Sequence, residues 1–180
     1  EACQALKLQP DIIHCHDWQA GLIPAYLKTV LQHDPAWAST SSLLTIHNIA
    51  YQGLFPPEVM EFLQLPPYTY APEGIEFYGR VNYLKAGIVY ADMINTVSRR
   101  YSQEIQTAEF GCGLEGILRY REQDVYGILN GIDDREWNPA RDRLIAARYS
   151  ATNPSGKQVC KRDLLETFGL ASRGMNAPVV

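Results

Sequence analysis

The sequence predicts an α/β protein, a doubly wound, Rossmann-like parallel sheet with helices on both faces. Three observations predict it. Four short apolar runs are continuous rather than alternating, the pattern of strands covered on both sides. Segments of helical period lie between them. The runs also recur at the spacing of β-α-β units, each of which needs about 30 residues. Starts at 11 and 43 stand 32 residues apart, as do starts at 93 and 125.

The first run is Asp11-Ile12-Ile13-His14-Cys15-His16. Ala20 to Leu31 follows with helical period, Pro24 falling early enough for a first turn or a mild kink. The second run is Leu43-Leu44-Thr45-Ile46-His47. The gap to the third carries about 18 residues more than one unit needs. Proline concentrates in that surplus, at Pro56, Pro57, Pro66, Pro67 and Pro72. Residues 51–77 therefore read as a long ordered loop holding one short helix, Glu58 to Leu63, and long loops in compact domains tend to be functional. Val81 to Tyr90 is helical in period. The third run, Met93-Ile94-Asn95-Thr96-Val97, leads into two further helices, Tyr101 to Thr107 and Leu114 to Arg121. The fourth run is Val125-Tyr126-Gly127-Ile128-Leu129. After Asp133 the pattern loosens. Trp137-Asn138-Pro139 reads as a turn and Ala140 to Arg148 as a brief helix. Asn153-Pro154-Ser155-Gly156 then leads into an amphipathic helix, Lys157 to Phe168, with Gly169 placed as its C-cap. Residues 1–150 are assigned to the sheet domain and 151–180 to a helix and connector.

The 180 residues are 46% hydrophobic and 20% charged. A domain of this length buries roughly 70% of its unfolded-chain surface, so disordered, collagenous and low-complexity classes are excluded. Sixteen basic against twenty acidic side chains, a net charge of −4, argue against a broad nucleic-acid footprint. No run of 18 apolar residues exists, so no transmembrane helix is expected. Cys3, Cys15, Cys112 and Cys160 form no C-x-x-C pair and read as free thiols of a reducing cytosol. The chain opens on Glu1 without a Met and stops at Val179-Val180. It is expected to be a piece of a longer protein, whose cut sheet edge favours self-association.

In open parallel sheets, ligands bind outside the carboxyl ends of the strands. Those ends here read His14-Cys15-His16-Asp17-Trp18, His47-Asn48, Ser98-Arg99-Arg100 and Asn130-Gly131-Ile132-Asp133. Three of the four histidines thus converge on one edge. Each residue also has a plainer reading. Asp17 and Ser98 are ordinary helix caps; His14 or His16 serves equally as a satisfied core histidine. His47-Asn48 and Asn130-Gly131 are turn chemistry, and Arg99 and Arg100 a solvated helix face. His14-x-His16 with a third histidine also suits a zinc hydrolase, which would need a further ligand; His33 lies at a helix end, remote from this edge. Gly111-Cys112-Gly113-Leu114-Glu115-Gly116 matches G-x-G-x-x-G but follows no strand, so it reads as a turn at a helix start. Gly156-Lys157 lacks the earlier P-loop glycine, where Ala151 stands.

Several motifs together carry a family resemblance. Pro10-Asp11-Ile12-Ile13-His14-Cys15-His16-Asp17-Trp18-Gln19 resembles a strand of bacterial glycogen synthases and plant starch synthases. Thr45-Ile46-His47-Asn48-Ile49-Ala50-Tyr51-Gln52-Gly53 is similar to a second motif of that family. Leu129-Asn130-Gly131-Ile132-Asp133 with Trp137-Asn138-Pro139 is similar to a third, and Tyr149-Ser150 and Gly156-Lys157 continue the match. The resemblance covers about residues 10 to 170 and implies a GT-B glycosyltransferase, this chain being the second half of its N-terminal domain. It implies retaining transfer of glucose from ADP-glucose to the nonreducing end of an α-1,4-glucan, in the cytoplasm or, for a plant enzyme, the plastid. No metal and no cofactor beyond the donor is implied, and neither a nucleic-acid nor a membrane partner. By resemblance His47 and Asp17 are catalytic. Asn130, His16, Asn48, Tyr51 and Trp18 bind substrate. The family's Lys-x-Gly-Gly-Leu loop and the Arg, Lys and Glu of its second domain do not occur in these residues, so the chain alone is expected to be inactive. A zinc-dependent hydrolase using His14 and His16, or a non-catalytic glucan-binding module, are the alternatives.

Overall fold

The computed structural model describes residues 2–170 and 178–179. The chain divides into two compact units, residues 1–130 and 131–180, twenty residues before the boundary drawn from sequence. In chain order the first unit holds α1 (Ala2–Ala5), β1 (Ile12–His16), α2 (Leu22–Lys28), β2 (Ser41–Ile46), β3 (Leu54–Phe55), α3 (Met60–Leu63), β4 (Glu76–Phe77), β5 (Arg80–Asn82), α4 (Tyr83–Tyr90), β6 (Met93–Thr96), α5 (Arg99–Glu104), α6 (Glu115–Tyr120) and β7 (Val125–Gly127). The four apolar runs become β1, β2, β6 and β7, all parallel, in the order β1-β2-β6-β7.

That order advances in one direction. Crossovers of a single hand then set down their helices on one side of the sheet. Cys15, Leu44, Ile46 and Ile94 accordingly pack with Leu84 and Ile88 of α4, Leu118 of α6, and Ile105 and Leu114 between the helices. The alternate residues point the other way. Ile12 is 63% exposed, Met93 39% and Tyr126 50%, so the described residues leave this second face largely open. The continuous apolar runs hid an alternation of burial.

The 51–77 segment is more ordered than a loop with a helix. β3, β5 and β4 form a small antiparallel sheet in that order. Two- and three-residue strands carry too little period to be read from sequence. The expected 58–63 helix is a 3-10 turn, Pro57–Val59, running into α3. Gln64 ends it in the left-handed region at φ 53°, and Pro66-Pro67 forbid its extension. The expected 81–90 helix starts at Tyr83, because Asn82 caps it by accepting from the Lys85 N–H. Ser98 caps α5 in the same way through the Tyr101 N–H.

In the second unit, α7 runs Gly156–Thr167. Gly169 sits at φ 66°. The Gly169 N–H donates to Glu166 C=O at 3.1 Å and the Leu170 N–H to Leu165 C=O at 2.7 Å. This is the Schellman closure that its glycine forecast. The brief helix expected at 140–148 is absent. Asn138 Oδ1 takes the Ala140 N–H and Asp142 Oδ1 the Leu144 N–H, and such local side-chain bonds compete with the helical ladder.

Candidate active site at the carboxyl edge of the sheet

β1 stops at His16, and the next residue turns sharply. Asp17 has φ 52° and ψ −165°, a region nearly reserved for glycine, which costs a side-chain-bearing residue about 1–3 kcal/mol. Two bonds over-determine it. Its N–H donates to Thr45 C=O at 2.9 Å, and its carboxylate Oδ1 accepts the His47 N–H at 2.8 Å. The loop after β1 is thereby clamped to the loop after β2. Asp17 makes no capping bond to the 3-10 turn that follows, Trp18–Ala20, so the helix-cap reading of this residue is corrected.

Strand parity places His14, His16, Thr45, His47 and Asn95 on the open face. The His14 Nε2 lies 2.6 Å from Thr45 Oγ1, and Thr45 Oγ1 donates to Asn95 Oδ1 at 2.5 Å. The Thr45 hydroxyl has one hydrogen and has given it to an acceptor-only oxygen. His14 therefore donates from Nε2. Its pKa is held below the usual histidine value, first by desolvation and then by the neighbouring charges of His16 and His47. His14 is exposed, not in the core, so the core reading is corrected; Cys15 takes the core side instead, its burial pushing the thiol up to about 11. The His14 and His16 rings stand 4.2 Å apart, and His16 Nδ1 is 3.0 Å from His47 Nε2.

Asn48 does serve as turn chemistry. Its Oδ1 accepts the Ala50 N–H at 3.0 Å, and its C=O accepts the Tyr51 N–H at 3.2 Å. The turn leaves Tyr51 67% exposed. Trp18 both packs within the fold and borders open space. It packs on Phe55 and Tyr83, with centroids 5.9 and 6.4 Å away. With Tyr51 it also lines two adjoining pockets. One, of about 510 Å³, runs between Trp18, residues 50–55, Phe77 and Cys112; the other, of about 280 Å³, is floored by Asp17, Gln19 and the same two aromatics. Gly53, at φ 63°, closes under the indole, and a Cβ there would stand 2.4 Å from Trp18 Cε3. Gly53→Ala is expected to push Trp18 from its seat and to lower stability by about 2–4 kcal/mol, read as a lower urea midpoint with altered tryptophan emission.

Phe77 and Cys112 gave no signal in the sequence, because the pocket wall is assembled by buried polar bonds between distant segments. Gln52 donates from Nε2 to Cys112 C=O at 2.9 Å and accepts from Asn82 Nδ2 at 2.7 Å. Lys85 donates from Nζ to the Pro72 and Glu76 carbonyls at 2.6 and 2.5 Å. Burial holds its pKa below the ordinary lysine value, although Glu76 and Glu73 pull the other way. The Gly111–Gly116 motif is a turn before α6, with Cys112 at φ 51° and Gly113 at φ 84°. Asn130 follows β7 on the same sheet edge and is exposed; among the described residues no hydrogen bond joins it to the Asp17–His47 pair. Arg100 pairs with Glu104 at 2.8 Å on the solvated face. The four cysteines are free. Among the described residues no group of three His, Cys, Asp or Glu side chains could hold a metal, and no helix is long and apolar enough to cross a membrane.

A family model described as the starch synthase catalytic domain matches residues 1–120. Glycogen synthases are among the similar curated proteins. That of Koribacter versatilis is 55% identical over 89% of this chain and 33% of its own length. That of Thermotoga maritima is 52% identical over 92% of this chain and 34% of its own. Among solved structures, the catalytic domain of starch synthase IV from Arabidopsis thaliana, bound to ADP and acarbose, superposes with a TM-score of 0.76. It is 33% identical over 96% of this chain and 36% of its own. The chain thus spans about a third of the length of the curated relatives it matches. By its sheet, its motifs and the extent of that match, the chain belongs to the starch synthase catalytic-domain family.

Proposed function

We propose that this chain is part of a retaining glycosyltransferase that moves glucose from ADP-glucose to the nonreducing end of an α-1,4-glucan. The observation that carries the reading is the Asp17–His47 clamp beside an aromatic cleft. The Asp17 carboxylate fixes the His47 main chain, and Trp18 and Tyr51 flank the same floor. Relatives named glycogen synthase and a solved relative holding ADP and acarbose support the substrate class.

The chemistry follows from charge. Departure of the nucleoside diphosphate leaves positive charge at the anomeric carbon, which oxygen atoms of fixed orientation stabilise. Asp17 supplies a carboxylate there and holds the His47 carbonyl in place. The His47 imidazole, Asn48 and Asn130 are assigned to sugar hydroxyls, and Tyr51 and Trp18 to the apolar faces of the glucan rings. The negative leaving group needs cations, and among the described residues no lysine or arginine lines either pocket of the cleft. The intact protein is therefore expected to incorporate labelled glucose from ADP-glucose into glycogen, while the 180-residue chain alone does not. An inactive intact protein overturns the reading; an active isolated chain overturns the need for outside cations.

Among the described residues, Ile12, Met93 and Tyr126 on the open sheet face leave apolar side chains uncovered, and β1 has a partner on one edge alone. Self-association is expected, visible as a mass in light scattering that rises with concentration. A monomer throughout would contradict it.

A further inference from the structure

The two histidines at the adjoining strand ends are not equivalent. His47 is held twice. Its N–H is bound by the Asp17 carboxylate at 2.8 Å, and its ring Nε2 faces His16 Nδ1 at 3.0 Å. His16 in turn lies against His14 at a centroid distance of 4.2 Å and an interplanar angle of 36°. His14 is locked by Thr45 and, through it, by Asn95. The series Asn95, Thr45, His14, His16, His47 crosses three strands on one face and ends at the ring placed nearest the chemistry. Each member before His47 bonds or stacks on the next. Fixing an imidazole through one nitrogen dictates both its orientation and which nitrogen is left for a ligand.

We propose that His16 is a positioning residue: it does not bind sugar, but sets the orientation and tautomer of the His47 imidazole through the Nδ1–Nε2 bond, leaving Nδ1 of His47 as the ring atom offered to the substrate. The bond has room for one hydrogen, so each ring's tautomer fixes the other's. Desolvation and the neighbouring imidazoles hold the His14 pKa below the ordinary histidine value, and its ring lies against His16. The proposal rests on the transferase reading for its consequence in catalysis, and on the geometry alone for the tautomer.

The test uses the intact protein with His16→Ala, His16→Asn, His47→Ala and the double variant His16→Ala/His47→Ala. An asparagine amide can occupy the place of imidazole Nδ1. A misplaced catalytic group costs up to about 100-fold. His16→Ala is thus expected to lower kcat by about 10- to 100-fold with KM for donor and glucan little changed. His16→Asn should recover most of it, and the double variant should be no slower than His47→Ala alone. A raised KM, or losses that multiply in the double variant, would mean that His16 contacts sugar and would overturn the proposal. Histidine ¹⁵N spectra of the intact protein supply a readout without activity. His16→Ala is expected to shift the His47 Nε2 resonance and redistribute its tautomers, and His16→Asn to restore them. An unmoved His47 signal overturns the proposal even if the enzyme is active. A moved signal in a protein without transferase activity upholds the positioning role and rejects the transferase reading instead.

Discussion

Asp17→Asn in the intact protein is expected to lower glucosyl transfer by about 100-fold or more while leaving the fold nearly untouched. Asparagine keeps the shape of the side chain and an Oδ1 that can still accept the His47 N–H. It removes the charge. In the folded state this weakens one charge-assisted bond by about 1 kcal/mol. On the proposed function it also removes a carboxylate set against the positive charge that develops at the anomeric carbon, where a preoriented group is worth far more than in water. Asp17→Ala goes further, because it releases the clamp between the β1 and β2 loops and leaves Asp17's strained backbone with one tether instead of two. It is expected to lose activity and about 1.5–3 kcal/mol of stability together. Incorporation of glucose into glycogen, measured beside urea midpoints, separates the two effects. An asparagine variant with near-normal turnover would remove Asp17 from the chemistry.

A second large effect, on stability, is expected away from the cleft, at Arg121. The carboxyl end of α4 leaves carbonyls without helical partners. The Arg121 guanidinium reaches into that end, donating to the carbonyls of Ile88 at 2.7 Å, Ala91 at 2.6 Å and Asp92 at 3.2 Å. It also bonds Asp124 at 2.8 Å, with only 13% of its side chain exposed. One cation thus closes a helix end, complements its dipole and ties α6 to α4. Arg121→Met keeps the aliphatic bulk and strands these acceptors in a half-buried site, at an expected loss of about 2–4 kcal/mol. Lysine, a single point of donation on a flexible stem, should restore less than half of it. Equal midpoints for the wild-type and methionine proteins would show that water satisfies these carbonyls.

Much of this was legible beforehand. Spacing and apolar runs located all four parallel strands, because a buried strand is a local pattern. Ser98 and Gly169 announced a cap and a helix end for the same reason: each bonds within its own turn. The motifs around Asp17, His47 and Asn130 fall just after strands β1, β2 and β7, on one edge of the sheet. What failed was long-range or too short. The strands β3, β4 and β5 have two or three residues each and exist only as mutual partners. The 140–148 helix lost to side-chain bonds that a period cannot weigh.

Local pattern and motif sufficed for the α/β class and the family. The surroundings of the individual residues came from contacts across the fold. Asp17 became a strained clamp on His47 rather than a cap, because Thr45 lies beside it in the parallel register. His14 left the core, because the helices gather on the opposite face. Phe77 and Cys112 entered the pocket wall through the bonds of Gln52 and Lys85. The Asp17–His47 and Gln52–Cys112 bonds span 30 and 60 residues, and separation of that length leaves no trace in a local pattern.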